Sequence, residues 1–406
     1  MHLFSYLVEH NRYLNIFGIV AIIAIAWIFS KKRSAVNVKL IVNALVIQAI
    51  LAYSVLKLSA GQWLLSKVAH AVTQLYQFAD KGSEFVFGGL SNPASAWGFI
   101  FAVKVLPIII FFGALMALLF HFGIIQRVVL VISYIVRPLL GTSGAETLCA
   151  ISNSFLGQTE APLLIRHYLK HMSKSEMLVV MVSGMATISG AILAVFAAMG
   201  VPAQHLLASS VMAIPGSIMI AKILYPETER DQTATTSEIT FDKQEGNVFS
   251  AVAQGTSDGL FLALNVGAML ISFLSLLALI NAVLSSTIGV SLDWIFARVF
   301  APFAYLLGFT GKEALAVGEL LGIKVTVNEL VAYSKMLPMN LSERTQAIVT
   351  YALCGFSNFS CIGIQIGGIG ALVPEKRSWL CELGLYAVLG GSLSNLLSAM
   401  IAGLLL

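Results

Sequence analysis

Long, uninterrupted apolar runs place the strongest constraint on what this sequence can fold into. A helix needs about 20 predominantly apolar residues to cross a bilayer, and several runs of the 406-residue chain approach or exceed that length. Only 11% of the residues are charged, whereas soluble domains average about 25%, and the mean hydropathy is +0.88. A soluble fold is therefore excluded. A transmembrane β-barrel is also excluded, because its strands alternate apolar and polar residues. The sequence predicts an all-α integral membrane protein.

Eight transmembrane helices are expected, with both termini outside. They lie near residues 14–30, 40–57, 99–122, 177–199, 206–224, 260–284, 346–366 and 379–404. Fourteen of the 24 Lys and Arg then fall in inside loops, as the positive-inside rule requires. The basic run that follows the first span favours a retained helix over a cleaved signal peptide. Residues 63–78 are amphipathic and predict an interfacial helix, and residues 226–247, with six of the 20 acids, predict a solvated loop.

Two regions between these spans are apolar overall but interrupted by polar residues. Region 139–169 contains Gly157-Gln-Thr-Glu-Ala-Pro162, and region 306–334 contains Thr326-Val-Asn-Glu329. A lone carboxylate at membrane depth costs about 3 kcal/mol or more. Irregular backbone is tolerated at that depth only where protein or a water-filled cavity covers it. We therefore expect two re-entrant hairpins whose polar tips point into the protein.

The two regions also resemble each other. Residues 139–148 match residues 306–315 at six of ten positions, and a polar break follows each region, at 183–190 and 355–360. Three predicted crossings separate the hairpins, and an odd number inverts the second copy relative to the first. Inverted repeats with broken helices are typical of secondary transporters. Glu146 and Glu313 recur in both copies and are expected to cap or brace the hairpin bases, whereas Glu319 and Lys324 receive no assignment.

Four polar islands are expected to converge on one binding site. They are Gln158-Thr159-Glu160, Thr187-Ile188-Ser189, Asn328-Glu329, and Ser357-Asn358 with Ser360. They supply carboxylates, amides and hydroxyls without Lys or Arg, so a neutral or cationic solute is favoured over an anion. A carboxylate only accepts hydrogen bonds and therefore suits a sugar diol, while an aromatic neighbour suits a flat ring. Some of these polar groups have an alternative role, in satisfying backbone groups freed at the breaks.

Several other function classes find no support. The sequence contains no Walker A loop, no His-rich metal cluster and no recognisable Ser/His/Asp context, so neither ATP-driven transport nor enzyme activity is predicted. A channel would require rings of like groups around a pore, and nothing in the sequence repeats in that way. The four cysteines lack disulfide or zinc spacing. The net charge of +4 gives no indication of a nucleic-acid partner.

Four segments make the chain resemble the concentrative nucleoside transporters, especially the bacterial members. They are Gly157-Gln-Thr-Glu-Ala-Pro162, Val327-Asn-Glu-Leu-Val-Ala-Tyr333, Leu262-Ala-Leu-Asn-Val-Gly267 and Cys354-Gly-Phe-Ser-Asn-Phe-Ser360. The resemblance implies a multi-pass protein of the bacterial inner membrane that assembles as a homotrimer. In each subunit, a transport domain carrying both hairpins would move past a scaffold in an elevator-like manner and import nucleosides with sodium.

The same resemblance implies a set of nucleoside-binding residues. Gln158, Thr159 and Glu160 would face the base, with Leu262 and Phe356 packed on it, Glu329 and Asn358 on the ribose hydroxyls, and Ile192 nearby. Cys361 occupies a ribose-side position where the family often has Ser. Since a thiol is a weaker hydrogen-bond donor than a hydroxyl, ribose contacts at this position should be weaker or rearranged.

The resemblance also implies a sodium site, formed by Asn153, Leu156, Thr187 and Ile188. Asn153 and Thr187 would offer side-chain oxygens, and main-chain carbonyls would supply the remainder. Some proton-driven family members lack the Asn, so its presence favours sodium. Thr187 replaces the more usual Ser and keeps the hydroxyl. No other cofactor is expected.

The resulting prediction divides the chain into four parts. They are the N-terminal scaffold with its interfacial helix (1–123), the first transport-domain repeat (124–225), the polar loop with the sixth span (226–290), and the second repeat (291–406). Proton-coupled nucleoside symport remains an alternative, followed by a passive facilitator or channel. The sequence leaves the choice between purines and pyrimidines open.

Overall fold

The computed structural model describes residues 2–92, 97, 98, 100–229 and 247–406, and its regular secondary structure over these residues is helical throughout, as predicted. The α-helices are α1 (His2–Val8), α2 (Arg12–Ile28), α3 (Val38–Leu56), α4 (Ser59–Phe87), α5 (Phe101–Lys104), α6 (Leu106–His121), α7 (Ile124–Leu140), α8 (Gly144–Ser152), α9 (Arg166–Leu169), α10 (Lys174–Ala186), α11 (Gly190–Met199), α12 (Ala203–Leu224), α13 (Val248–Ile288), α14 (Leu292–Val299), α15 (Ala301–Leu306), α16 (Gly311–Thr326), α17 (Glu329–Met336), α18 (Glu343–Leu353), α19 (Phe359–Leu372) and α20 (Arg377–Leu405). Short 3-10 helices lie at Glu9–Asn11, Arg33–Ala35, Gly88–Ser91, Ala161–Ile165 and Pro374–Lys376. Most of the predicted loop (230–246) and the predicted start of the third span, Phe99, lie outside the described residues.

Seven helical segments of the described chain are long and apolar enough to cross a membrane. They correspond to predicted spans one to six and eight: Phe4–Ile28, Val38–Leu56, Phe101–His121, Lys174–Met199, Ala203–Leu224, Val248–Ile288 and Pro374–Leu405. The predicted seventh span consists of two half-helices, α18 and α19, separated at residues 354–358. The fourth span is also interrupted, between α10 and α11. Both interruptions fall at the polar breaks that the sequence contains.

The long helices differ sharply in how deeply they are buried. Helices α10, α12 and α20 pack against one another at the centre, and most of their residues are buried. In the 41-residue helix α13, by contrast, the buried residues are Gly255, Gly259 and Ala263. The fold therefore consists of a dense core and a peripheral helix pair formed by α6 and α13.

Small residues bring α6 and α13 into close contact. A Cβ atom on Gly255 would lie 2.5 Å from the carbonyl oxygen of Gly113, and one on Gly259 would lie 2.9 Å from the carbonyl oxygen of Ile109. Small residues at a membrane-helix interface allow two backbones to approach closely and gain van der Waals contact. The peripheral pair is thus held together largely by backbone packing.

Each segment predicted to form a hairpin contains a helix–turn–helix unit that begins later than predicted, and the re-entrant course of these units stays a prediction. The first begins at α8, because Leu139 and Leu140 belong to α7, which ends at Gly141 in a left-handed conformation. The second begins at α16, because Leu306 ends α15. In each unit the first helix packs against the segment that follows the polar tip.

Glu146 has the bracing role that was predicted from its recurrence. Its carboxylate accepts a hydrogen bond from the Ser143 backbone N–H at 2.9 Å and completes a capping box at the start of α8. Its other oxygen forms an ion pair at 2.8 Å with Lys222, at the end of α12. Glu313 similarly accepts a hydrogen bond from the Thr345 hydroxyl at 2.6 Å. Both carboxylates thereby fix a hairpin base to the core.

Three helices show the limits of reasoning from hydropathy. Helices α7 and α14 were not predicted, because their apolar residues are interspersed with polar ones and form no continuous run. The amphipathic segment forms a helix, α4, and its position at the membrane interface stays a prediction.

Candidate functional site

Three N-cap residues interrupt the membrane-depth helices and face a common cavity. The side chains of Ser189, Asn328 and Asn358 accept hydrogen bonds from the backbone N–H groups that begin α11, α17 and α19. An N-cap side chain satisfies one of the donors that a helix start leaves free, so each polar residue makes its break tolerable. All three residues line a single cavity of about 190 Å³.

The capping bond of Asn358 determines where the rest of its side chain points. Its Oδ1 atom accepts from the Cys361 backbone N–H at 3.1 Å and from the Ser360 hydroxyl at 2.6 Å. Its Nδ2 atom then donates to Glu329 Oε2 at 3.1 Å. Glu329 is 5% exposed and begins α17, where the positive end of the helix dipole favours a carboxylate. A buried amide–carboxylate pair therefore faces the cavity.

Gln158 also lines the cavity and is held there by partners that are distant in sequence. Its Oε1 atom accepts a hydrogen bond from Gln365 at 3.1 Å, and its Nε2 atom donates to the Cys361 sulfur at 3.3 Å. Gln365 is itself fixed by donating to the Met181 carbonyl at 2.9 Å. The amide of Gln158 thus has a defined orientation, and Cys361 connects it to the α19 side of the cavity.

The structure brings every predicted nucleoside-binding residue to this one cavity. They are Gln158, Thr159, Glu160, Ile192, Leu262, Glu329, Phe356, Asn358 and Cys361. Their roles stay predictions. Sequence reasoning missed six further lining residues: Phe196, Asn265, Val266, Met269, Leu330 and Ile364. The sequence does indicate Asn265 as a candidate, because it is a polar residue in the apolar stretch of α13.

Some residues of the predicted polar islands do not line the cavity. Ser357 is fully buried and donates its hydroxyl to Asn395 Oδ1 at 3.2 Å. Thr187 donates its hydroxyl to the Asn153 and Ser183 carbonyls at 2.9 and 2.8 Å. Ser357 therefore stabilises the break, and Thr187 belongs to a separate group of residues beside the cavity.

The four residues of the predicted sodium site, Asn153, Leu156, Thr187 and Ile188, are all buried, and the structure brings Asn153 and Thr187 into hydrogen-bond contact. Asn153 donates from Nδ2 to the Ser183 hydroxyl at 3.0 Å, while its buried Oδ1 atom accepts no hydrogen bond from the described residues. Leaving a buried carbonyl oxygen without a hydrogen-bond partner destabilises the folded state, so a bound cation would be a favourable partner for it. Hard oxygen ligands of this kind suit sodium, and the residues present therefore fit a small cation.

A second cavity, of about 440 Å³, adjoins the first on the side of the peripheral helices. It is lined by the first tip, including Thr159 and Glu160, and by residues of α6 and α13 such as Asp258. Thr159, Glu160, Leu262 and Asn265 line both cavities. The 440 Å³ cavity therefore lies between the core and the peripheral pair and reaches the candidate site.

Comparisons with known proteins identify the family of this chain. Three family profiles match in succession: the Na+ dependent nucleoside transporter N-terminus over residues 17–90, a nucleoside recognition gate over 102–203, and the Na+ dependent nucleoside transporter C-terminus over 205–403. The nucleoside permease NupC of Helicobacter pylori is 41% identical over 407 residues, which cover 96% of this chain and 97% of NupC. The chain belongs to the concentrative nucleoside transporter family.

Other members of this family extend the comparison. Sodium/nucleoside cotransporter 1 of Rattus norvegicus is 35% identical over 96% of this chain and 63% of its own length. CNTnw in an inward-facing substrate-bound state superposes with a TM-score of 0.93 at 39% identity, over 97% of each chain. These relatives are nucleoside transporters and permeases, and the concentrative nucleoside transporter described here is accordingly not an enzyme.

Proposed function

We propose that this transporter imports nucleosides across the bacterial inner membrane by symport with sodium. The observation that carries the proposal is the single cavity at which both hairpin tips and both broken helices meet. Its polar groups are carboxylates, amides and hydroxyls, as a neutral, hydrogen-bonding solute requires. Family membership supports the substrate class, and bacterial relatives such as NupC support the inner membrane as its location.

The two sides of the cavity match the two parts of a nucleoside. Glu329 and Asn358 offer a carboxylate acceptor and an amide beside it, which suits the adjacent hydroxyls of ribose. Gln158 and Thr159 offer donors and acceptors to the edge of a base, with Glu160 beside them. Leu262, Phe356 and Ile192 supply apolar surface for the flat ring, and Cys361 lies between the two sides.

The proposed coupling ion is sodium, bound by Asn153, Leu156, Thr187 and Ile188. Support comes from the buried Oδ1 atom of Asn153, which has no hydrogen-bond partner among the described residues, and from the sodium dependence in the names of the matching family profiles. The site lies at the break between α10 and α11, and Ser189 of the same break lines the nucleoside cavity. This shared break connects sodium binding to nucleoside binding.

We further propose an elevator-like movement of the dense core, with eight membrane crossings and inverted hairpin repeats. The large difference in burial between the core and the α6–α13 pair supports a division into mobile and fixed parts. Residues 124–225 and 291–406 would form the mobile part, with both hairpins, and residues 1–123 and 226–290 the scaffold. The long exposed surface of α13 supports a homotrimer in which neighbouring subunits cover it.

Uptake of radiolabelled uridine by proteoliposomes tests this function. Inward sodium, inward proton and zero gradients should be imposed separately, with empty liposomes as the control. We expect accumulation above the external concentration under the sodium gradient. Equal uptake with and without that gradient would exclude sodium coupling, accumulation under the proton gradient would support proton symport, and equilibration alone would indicate a facilitator or channel.

A further inference from the structure

Lys324 is a buried charge to which the proposed transport function gives no role. It lies in the last turn of α16, five residues before Glu329, and its side chain is 2% exposed. Its ammonium group donates to the Ala352 carbonyl at 2.9 Å and to Asn395 Oδ1 at 2.7 Å. Both partners are neutral oxygens. A buried charge is destabilising unless it is well compensated, so these oxygens must serve as its ligands.

The oxygens around Lys324 belong to the ends of half-helices. Ala352 lies in the last turn of α18, where carbonyl groups lack partners within the helix and the helix dipole is negative. Asn395 donates from Nδ2 to the Cys354 and Ala186 carbonyls, both at 2.7 Å. Cys354 caps the end of α18, and Ala186 is the last residue of α10. The ammonium thus lies at the negative end of α18 and is connected through one amide to the negative end of α10.

The two breaks also approach each other directly at this point. Gly355, between Cys354 and Phe356, has φ +154°, and a Cβ atom there would lie 2.5 Å from Asn395 Oδ1 and 2.8 Å from the Ala186 carbonyl. The Phe356 backbone N–H donates to the Thr187 carbonyl at 3.4 Å. Only glycine allows this approach. Lys324 therefore contacts a structure that is shared by both halves of the transporter.

The first half of the chain has the same order of elements, but a different group lies where the first helix of its hairpin ends. There the first hairpin and the α10–α11 break contribute Asn153 and Thr187, with the Asn153 oxygen unpaired. In the second half, the second hairpin and the α18–α19 break meet at Lys324 and Ala352, where the Lys324 ammonium donates a hydrogen bond to the Ala352 carbonyl. One half offers oxygens to a soluble cation, and the other half holds a cation that is covalently part of the chain.

We propose that the Lys324 ammonium is a built-in cation that takes the place, in the second half, of the soluble ion bound by the first half. It is a positioning residue: it fixes the α18–α19 break, which carries Phe356 and Asn358, against the tip that carries Glu329. The nucleoside site therefore keeps its ribose side assembled without a second exchangeable ion. The inference rests on the proposed function, because its readout is nucleoside binding.

The test measures nucleoside binding to purified transporter at saturating sodium, in variants of Lys324. Lys324→Met keeps most of the side-chain volume but removes the charge, and we expect its dissociation constant to rise at least about tenfold. Lys324→Ala should lose binding as well and leave space for a small ion. A cavity of about 320 Å³ lined by Lys324 and Ala352 gives such an ion access. Methylammonium should restore binding to Lys324→Ala, and methanol, a neutral molecule of similar size, should not.

Lys335→Met is the matched control, since Lys335 lies on the same hairpin but forms ion pairs with Asp293 and Glu319. Its nucleoside affinity should stay at the wild-type value, with no response to methylammonium. If the Lys324 variants do not fold, recovery of monodisperse protein in methylammonium but not in methanol supports the proposal. Folded Lys324→Met with wild-type affinity overturns it, as does rescue by methanol or by neither compound. Absence of nucleoside binding to the wild type would instead contradict the proposed function.

Discussion

Asn358 Nδ2 donates a hydrogen bond to Glu329 Oε2 at 3.1 Å, joining the α18–α19 break to the tip of the second hairpin. Asn358 caps the start of α19 and is also anchored by the Cys361 backbone N–H, and Glu329 is the first residue of α17. Both are almost fully buried. The groups proposed to bind ribose are therefore preorganised, and their geometry costs little additional ordering when the substrate arrives.

Replacing Glu329 by Gln should abolish most uridine uptake. The amide has one acceptor oxygen where the carboxylate has two, and it carries no charge. Hydrogen bonds to a charged group contribute about 1.5–3 kcal/mol each. We expect uptake at low uridine concentration to fall by more than about tenfold. Glu343→Gln, at an exposed position in the first turn of α18, is the control and should transport normally. Wild-type uptake by Glu329→Gln would remove the ribose assignment.

Replacing Asn153 by Ala should remove sodium stimulation. The substitution deletes the buried Oδ1 atom, which accepts no hydrogen bond from the described residues, and the loss of one oxygen ligand of the ion should lower sodium affinity by about tenfold or more. Uptake measured against sodium concentration gives the change. Asn43→Ala, which removes an exposed hydrogen bond to the Leu139 carbonyl, serves as the control. An unchanged sodium dependence in Asn153→Ala would show that sodium is not bound through Asn153.

Replacing Cys361 by Ser should strengthen nucleoside binding. The hydroxyl is a better acceptor for Gln158 Nε2 than the present sulfur and a better donor to the ribose. A gain of about 0.5–1 kcal/mol corresponds to about two- to fivefold in affinity. Calorimetric titration of both proteins measures it. Cys381→Ser, at an exposed cysteine, should leave affinity unchanged, and weaker binding by Cys361→Ser would show that the site is adapted to sulfur.

Replacing Lys222 by Met should destabilise the first hairpin base. The change leaves the Glu146 carboxylate buried without its ion-pair partner, and breaking a buried pair in this way costs about 3–5 kcal/mol. The thermal unfolding temperature of the purified protein should fall. The double variant with Glu146→Gln should be more stable than Lys222→Met alone, because the buried Glu146 charge is then gone, while Glu227, the other ion-pair partner of Lys222, is 28% exposed. A double variant that is less stable than both single variants would contradict this account.

Replacing Gly255 by Val should separate α6 from α13. Even a Cβ atom at this position would lie 2.5 Å from the Gly113 carbonyl oxygen, so the larger side chain must push the helices apart. Gly82→Ala is the control, since a Cβ there meets nothing within 4 Å. We expect a lower unfolding temperature for Gly255→Val and no decrease for Gly82→Ala. Equal unfolding temperatures for Gly255→Val and the wild type would show that the close contact of α6 and α13 at Gly255 does not stabilise the protein.

The sequence predicts best those features of the fold that depend on residues close to one another in the chain. Apolar runs determine the long helices, and polar residues flanked by Gly or Pro predict the tips and the breaks. Partners far apart in the chain leave no such signal. Lys324 and Asn395 are 71 residues apart, and Gln158 and Gln365 are 207 residues apart. Their side chains are unremarkable in sequence, and only the packing of distant helices shows that they meet.

Because both tips line one cavity, neither half of the chain forms the site alone, and this constrains how the transporter could have evolved. The segment up to α12 carries the Gln158 tip and the Asn153 group, but it lacks the Glu329–Asn358 pair. If the proposed inverted repeats derive from one ancestral half, that half would have enclosed such a cavity only by pairing with a second copy of itself. Joining two copies in one polypeptide removes the need for identical halves. One half can then exchange its ion with the surroundings, while the other keeps a permanent charge of its own.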